Sequence, residues 1–390
     1  MKTEYQLQKV WMLHSLNWKG LKTVQGESIV VLYPGDWNTG QGPDFTNAHL
    51  LIDRIHWYGH VEMHLKTSSW FSHAHEADPN YRNVILHVVW KHDDNRFNNC
   101  AVLELEKFKL FDDYPIEYTQ NTIQLACAGK VKQNIGQYDA YLANWGNRRF
   151  EKKMKRIFEL INYYKGDLEQ VLWILVARSF GQTVNADTFE EIASSIPYHF
   201  LKQNYYDPEM ILIILLGQGG LIETVEGLSQ LESKRRYASY QFDYQLKPVF
   251  GRLFSLRMRP ANFPKTRLSQ LAMLVSQNHD LIDLFLSPTE YESFIKKIKL
   301  DAGSGLLKTL YINVLIPFQL CASSILGKSM SDISYNEGLC EIGPEDSTVM
   351  KLFVRAGIKP RHAWDSQSLL ELYQQKCQTL NCSGCPFDNR

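Results

Sequence analysis

Gly59-His60-Val61-Glu62-Met63-His64-Leu65-Lys66 changes polarity at nearly every step. A β-strand points successive side chains to opposite faces. Val61, Met63 and Leu65 are therefore predicted to enter a core, while His60, Glu62, His64 and Lys66 share the other face. A row of imidazole, carboxylate, imidazole and ammonium is too polar for a core. It suits a solvated sheet surface or a site. Just upstream, the apolar run from Ala48 to Asp53 meets this segment through Asp53-Arg54, which predicts a tight hairpin. Downstream, Val84 to Trp90 and Ala101 to Leu105 read as further short strands. Residues 5–16 are expected to form one leading helix.

The pattern changes beyond residue 136. Phe150, Met154, Ile157, Phe158, Leu160 and Ile161 recur near a 3.6-residue period. Asp167 is placed to cap a helix over Leu168–Phe180, and a further helix starts near Asp187. Helices are also predicted over 208–217, 266–277, 280–286, 289–298, 304–326, 346–356 and 365–377. The fold class expected is α+β. A β-rich mixed domain over residues 1–115 carries a candidate metal site. A linker spans 116–136, and a larger all-α domain over 137–390 ends in a cysteine cluster.

Composition bounds the function. The 390 residues are 44% apolar and 22% charged, with 42 basic and 42 acidic side chains. Disordered and collagen-like chains are excluded. So is a uniform coat of positive charge, although a local basic groove is not. No run reaches about 18 consecutive apolar residues, and the start lacks the apolar segment of a secretion signal. A cytoplasmic protein without a membrane span is expected. Seven cysteines are too few, and odd in number, for a disulfide scaffold.

Seven of the twelve histidines lie between residues 49 and 87. His73-Ala74-His75 is a short pair that a loop can turn toward one ion. With Glu62, His64 and His87 it offers the imidazole and carboxylate donors of a transition-metal site. His87 lies in the apolar run Val84–Trp90, which also fits a hydrogen-bonded core histidine. Asp44 also fits a simple turn residue. Glu62, His64 and Lys66 also fit the wet face of an antiparallel sheet.

Cys377, Cys382 and Cys385-Pro386 close the chain with Cys-x4-Cys-x2-Cys spacing. Such spacing suits Zn²⁺ or an iron–sulfur cluster. Cys321, Cys340 and His362 are the candidates for a fourth ligand, and the clasp is expected to staple the last helix to the helical half. Arg148 to Arg156 carries six cations on one helix, which fits a solvated face. Arg257, Arg259 and Arg267 surround a proline-containing loop. They are candidates to grip a phosphate backbone, with Thr266 starting the following helix. No P-loop, dinucleotide fingerprint or Gly-x-Ser-x-Gly elbow occurs.

Two resemblances follow from these residues. Pro43-Asp44, a hairpin, then Glu62 and a basic residue resembles the PD-(D/E)XK nuclease superfamily over residues 43–91. That resemblance implies that Asp44 and Glu62 hold Mg²⁺ or Mn²⁺ while a Lys assists water. The Lys position is taken here by His64, with Lys66 one pleat later. Over nearly its full length the chain resembles an uncharacterised bacterial family (domain of unknown function 2851). The stretches Gly42 to His87, Arg259 to Leu268 and Asp365 to Pro386 carry that likeness. The function expected is a metal-dependent nuclease or phosphodiester hydrolase, with Asp44, Glu62, His64 and Lys66 catalytic. The alternatives are a non-catalytic nucleic-acid or protein adaptor, and a His/carboxylate metalloenzyme acting on a small molecule.

Overall fold

The computed structural model describes residues 3–14, 18–38, 41–108, 125–128, 135–225, 227–247, 249, 251, 253–255, 258–278, 280–288, 290–325, 335–378 and 382–387. The chain forms two compact units: Met1–Lys130 with Gln374–Arg390, and Val131–Tyr373. The protein is α+β, with a mixed sheet preceding a helical region.

The first unit opens with α1 (Glu4–His14) and a seven-stranded sheet. Its strands are β1 (Leu21–Lys22), β2 (Ser28–Tyr33), β3 (Asp36–Trp37), β4 (Phe45–Ile52), β5 (Ile55–Lys66), β6 (Val84–Lys91) and β7 (Ala101–Glu104). The order is β1-β2-β4-β5-β6-β7, with β3 on β4. Strands β2, β4 and β5 are antiparallel neighbours. Strands β5, β6 and β7 run parallel.

The hairpin between β4 and β5 turns on Asp53 (φ 47°) and Arg54 (φ 69°), the paired left-handed conformation of a two-residue loop. Ile52 and Ile55 close it. A parallel step from β5 to β6 needs a crossover. Residues 67–83 supply it through α2 (Ser69–Ser72) and a 3₁₀ turn, Pro79–Tyr81, capped by Asp78. β2 was not anticipated from the sequence, although Ile29 and Val31 alternate into the core as a strand requires.

The two sheet faces are built differently. Val61 and Met63 pack with Leu50, Leu86, Val88 and with Leu7, Val10 and Trp11 of α1. The opposite face carries a smaller cluster of Trp70, Val84, Val89, Phe97 and Val102. It covers Glu62 and His64, which are 5% and 2% exposed. The solvated reading of that face is thus corrected, because the crossover roofs it.

The second unit is helical, led by α3 (Asp139–Tyr163) and α4 (Leu168–Phe180). Asp167 caps α4 by accepting from the amide of Gln170 at 3.0 Å. The helical run Ser304–Ile325 has the length and apolarity to cross a membrane, and 72% of its most apolar window is buried inside the protein. One π-helical stretch, Tyr311–Leu315, interrupts it. Of the expected 116–136 linker, residues 116–124 and 129–134 lie outside the described residues. Residues 374–390 group with the sheet unit, so the expected all-α domain over 137–390 loses its tail.

Candidate metal centre

Three segments converge on the roofed sheet face. A bulge in β4 separates the pairs Phe45–Val61 and Ala48–Gly59, with Asn47 at φ 57°. It leaves Asp44 beside the middle of β5. The Asp44 amide donates to Glu62 Oε2 at 3.0 Å, and the Met63 amide donates to Asp44 Oδ2 at 3.0 Å. Gln8 of α1 donates to Asp44 Oδ1 at 2.7 Å. Both Asp44 oxygens are therefore engaged, whereas Glu62 Oε1 turns toward the histidines.

The crossover delivers two of those histidines. The amides of His73 and His75 bond back to Ser69 and Trp70 at 3.0 and 3.2 Å, with Ala74 between them at φ 55°. That left-handed residue lets both imidazoles fold over β5. Tyr81 stacks on His75 with ring centroids 3.7 Å apart, and Trp70 packs edge-on against it.

His64, His73 and His75 each offer a donor atom within 4.8 Å of the others. His64 Nε2 is 3.1 Å from His73 Nδ1 and 3.5 Å from Glu62 Oε1. His75 Nε2 is 3.4 Å from Glu62 Oε1, and this buried atom has no hydrogen-bond partner. An unpaired buried donor facing a carboxylate beside two more imidazoles is the donor set a divalent cation needs. His87 sits behind the cluster, fully buried, with Nε2 2.8 Å from His64 Nδ1. If His64 donates there, its Nε2 lone pair faces the cluster, the orientation that outer partners impose on ligating histidines.

The charges fit the same arrangement. Burial, then the charge of Glu62, pushes Asp44 up to about 8, against the hydrogen bonds from Gln8 and Met63. Burial pushes Glu62 up to about 8 as well, although the Asp44 amide opposes this. Burial and the neighbouring imidazoles press His64 down to about 2 and His87 to about 3, and burial lowers His75. Burial thus favours the neutral imidazole at His64, His75 and His87, the form in which histidine ligates. A cation at the cluster would instead favour ionised carboxylates.

The remaining predicted residues separate. Lys66 is at the exposed end of β5, with Asp93 3.9 Å away, and does not join the cluster. Arg257 lies outside the described residues. Arg259 is exposed. Arg267 is only 5% exposed and its guanidinium donates to Asn262 and Gln270. Its expected phosphate contact is corrected: it braces the 260–264 turn instead. The following helix starts at Pro264, not at Thr266, because proline fits the first helical position.

The basic helix is also corrected in part. Arg148, Lys152 and Lys155 are exposed. Lys153, however, turns inward to Asn313 Oδ1 and Gln367 Oε1, both at 2.7 Å, and Arg149 also reaches Gln367. Sequence periodicity could not reveal this, because Asn313 lies on Tyr311–Leu315 and Gln367 on Ala363–Leu372, whose Asp365, Ser366 and Glu371 are buried with it.

The expected fourth ligands of the cysteine cluster have other roles. Cys321 donates weakly to the Met154 carbonyl at 3.7 Å, Cys340 is exposed, and His362 caps Ala363–Leu372. All three belong to the helical unit, whereas Cys377, Cys382 and Cys385 belong to the sheet unit.

Comparison with curated proteins and with solved structures gave no match. A family model matches residues 4–304, which include the whole histidine cluster. The chain belongs to that family, described as a protein of unknown function (DUF2851).

Proposed function

We propose that the protein is a metal-dependent hydrolase whose centre is formed by His64, His73, His75 and Glu62. The observation that carries this reading is the approach of His75 Nε2 and His64 Nε2 to the same Glu62 oxygen, at 3.4 and 3.5 Å. Three imidazoles favour Zn²⁺, Mn²⁺ or Fe²⁺ over Mg²⁺, which prefers oxygen ligands. The ion supplies Lewis acidity and lowers the pKa of bound water. Glu62 Oε1 is placed to take a proton from water at the cluster. Asp44 holds Glu62 through its amide, and His87 orients His64. Trp70 and Tyr81 pack against His75 and hold it at the cluster.

The substrate class we propose is a phosphodiester, on nucleic acid. Support comes from two neighbouring acidic residues, Asp44 just before β4 and Glu62 on the adjacent β5, an arrangement similar to the nuclease pattern. A small-molecule substrate is the second reading, favoured by the imidazole-rich donor set. We further propose a reducing, cytoplasmic setting, in keeping with seven cysteines that form no disulfide. Cleavage assays with single- and double-stranded DNA and RNA, with Mn²⁺, Zn²⁺ or Mg²⁺ added, test the proposal. Mn²⁺- or Zn²⁺-dependent cleavage lost in Glu62→Gln supports it. Salt-dependent binding without turnover would identify an adaptor. Stoichiometric metal at the histidines without nucleic-acid affinity would favour the small-molecule reading.

A further inference from the structure

The strand that carries the metal centre continues past its roof. On β5, His56, Tyr58, His60, Glu62 and His64 share one face. The crossover covers Glu62 and His64, His60 is half-buried, and His56 and Tyr58 are exposed. Strand register extends this open end across β2 and β4. Tyr58 pairs with His49 of β4, and His49 pairs with Tyr33 of β2 at a bulge. His56 pairs with Leu51, and Leu51 with Val30. Tyr58 is 68% exposed, and Tyr33 and Val30 are exposed beside it.

The rings are ordered among themselves. His49 and Tyr58 stack with centroids 4.1 Å apart and planes 17° from parallel. His49 Nε2 lies 2.8 Å from His56 Nδ1, and the Tyr33 hydroxyl donates to Asp36. Among the described residues, β6 begins opposite His60, so no strand flanks Tyr58 on the side away from His49. That side of the phenol ring is open. There the His60 amide donates to the Asn83 carbonyl at 2.8 Å, with exposed Arg82 just before it in sequence. Tyr58 and Glu62 are four residues apart, roughly 13 Å along the strand. A lone exposed tyrosine is ordinary. A row of rings across β2, β4 and β5 that leads into a metal centre is a contiguous patch. Flat rings on a sheet suit unpaired nucleobases, which extend such a stack with little regard to sequence. Bases inside a duplex are already stacked on each other and cannot reach the rings. A protein partner would bury both imidazoles with their polar edges, whereas a base covers a ring face and leaves those edges wet.

We propose that Tyr58, His49 and Tyr33 form a stacking platform for single-stranded nucleic acid, with Arg82 placed for its phosphates, and that the platform leads the strand along β5 to the histidine centre. It rests on the nucleic-acid substrate proposed for that centre and adds that the substrate is unpaired where it meets the sheet.

The test is fluorescence anisotropy of labelled DNA and RNA of about 12 nucleotides, single-stranded and duplex, with the full chain and a chelator, so that binding is read without cleavage. Single strands should bind at least about tenfold tighter than duplex. Tyr58→Ala should weaken single-strand binding about 5- to 100-fold. Tyr58→Leu keeps apolar bulk without the flat ring and should weaken it nearly as much, whereas Tyr58→Phe should bind like wild type. Tyr163→Ala, which removes an exposed tyrosine of the helical unit, should change nothing. Metal uptake by Tyr58→Ala should equal that of wild type. Should Tyr58→Ala fail to fold, ultraviolet crosslinking of a single strand to the wild type decides instead, with adducts expected on Tyr58, His49 or Tyr33. Platform-dependent binding without turnover in Mn²⁺ or Zn²⁺ would support the platform while removing the hydrolase. Wild-type affinity in a folded Tyr58→Ala protein, or crosslinks only elsewhere, would overturn the platform even where metal-dependent cleavage is found. So would wild-type protein that binds no single strand but self-associates through Tyr58, which would make the face a contact between two copies.

Discussion

Nε2 of His75 lies 3.4 Å from Oε1 of Glu62, although one comes from the crossover and the other from the sheet beneath it. The crossover roofs a strand face that would otherwise be wet, and a short turn brings its two histidines onto the one strand histidine beside a carboxylate.

Glu62→Gln keeps the acceptor for the Asp44 amide but removes the charge facing His64 and His75. Affinity for Zn²⁺ or Mn²⁺ should fall at least about tenfold, and turnover should be lost. The metal-free protein should be as stable as wild type or slightly more so, since a buried acid has gone. Calorimetric titration and thermal melts check both.

His87→Leu tests orientation apart from ligation. His87 touches the cluster only through His64. Metal affinity should fall about 10- to 100-fold without loss of a ligand. Unchanged affinity in a folded variant would remove His87 from the site.

The pH dependence has a definite sign. Asp44 and Glu62 are pushed up to about 8, so the folded metal-free protein holds more protons than the unfolded chain from about pH 4 to 8. Stability contributed by these acids is present at low pH and lost as pH rises through that window. His64 and His87 are depressed to about 2 and 3, so their effect is loss of stability as pH falls below about 6.5. Between pH 6.5 and 8 the carboxyls therefore dominate among these four groups. The metal-free melting temperature should fall across that interval while metal affinity rises, because the cation displaces the carboxyl protons. Melts and titrations at pH 6.5, 7.2 and 8 follow the two trends.

Lys153→Ala should destabilise the helical unit by about 1–3 kcal/mol, because it removes the donor to half-buried Asn313 and one of the two donors to buried Gln367 Oε1. The loss should be the same with and without metal. Urea denaturation in both conditions checks it.

Much of this was legible in the sequence. Alternation over 59–66 divides Val61 and Met63 from Glu62 and His64, and the structure keeps that division because a strand permits no other. Asp53-Arg54 marked the hairpin, and Asp167 the helix start. The convergence of His73 and His75 on β5 depends on a parallel crossover, which local pattern cannot show. The inward turn of Lys153 was hidden for a similar reason: its polar partners lie on distant helices. Helices Tyr198–Gln203 and Gln230–Asp243 were not anticipated. The first is short, and in the second Ser233 is buried without an apolar stripe to mark it.

The most direct test is anomalous diffraction at the metal edge from crystals of the Zn²⁺- or Mn²⁺-loaded protein. The expected result is a peak among His64, His73 and His75, about 2.0–2.2 Å from their nitrogens, with Glu62 Oε1 at or next to it. Loaded crystals with no peak at these residues, or with metal only at the cysteines, would contradict the centre.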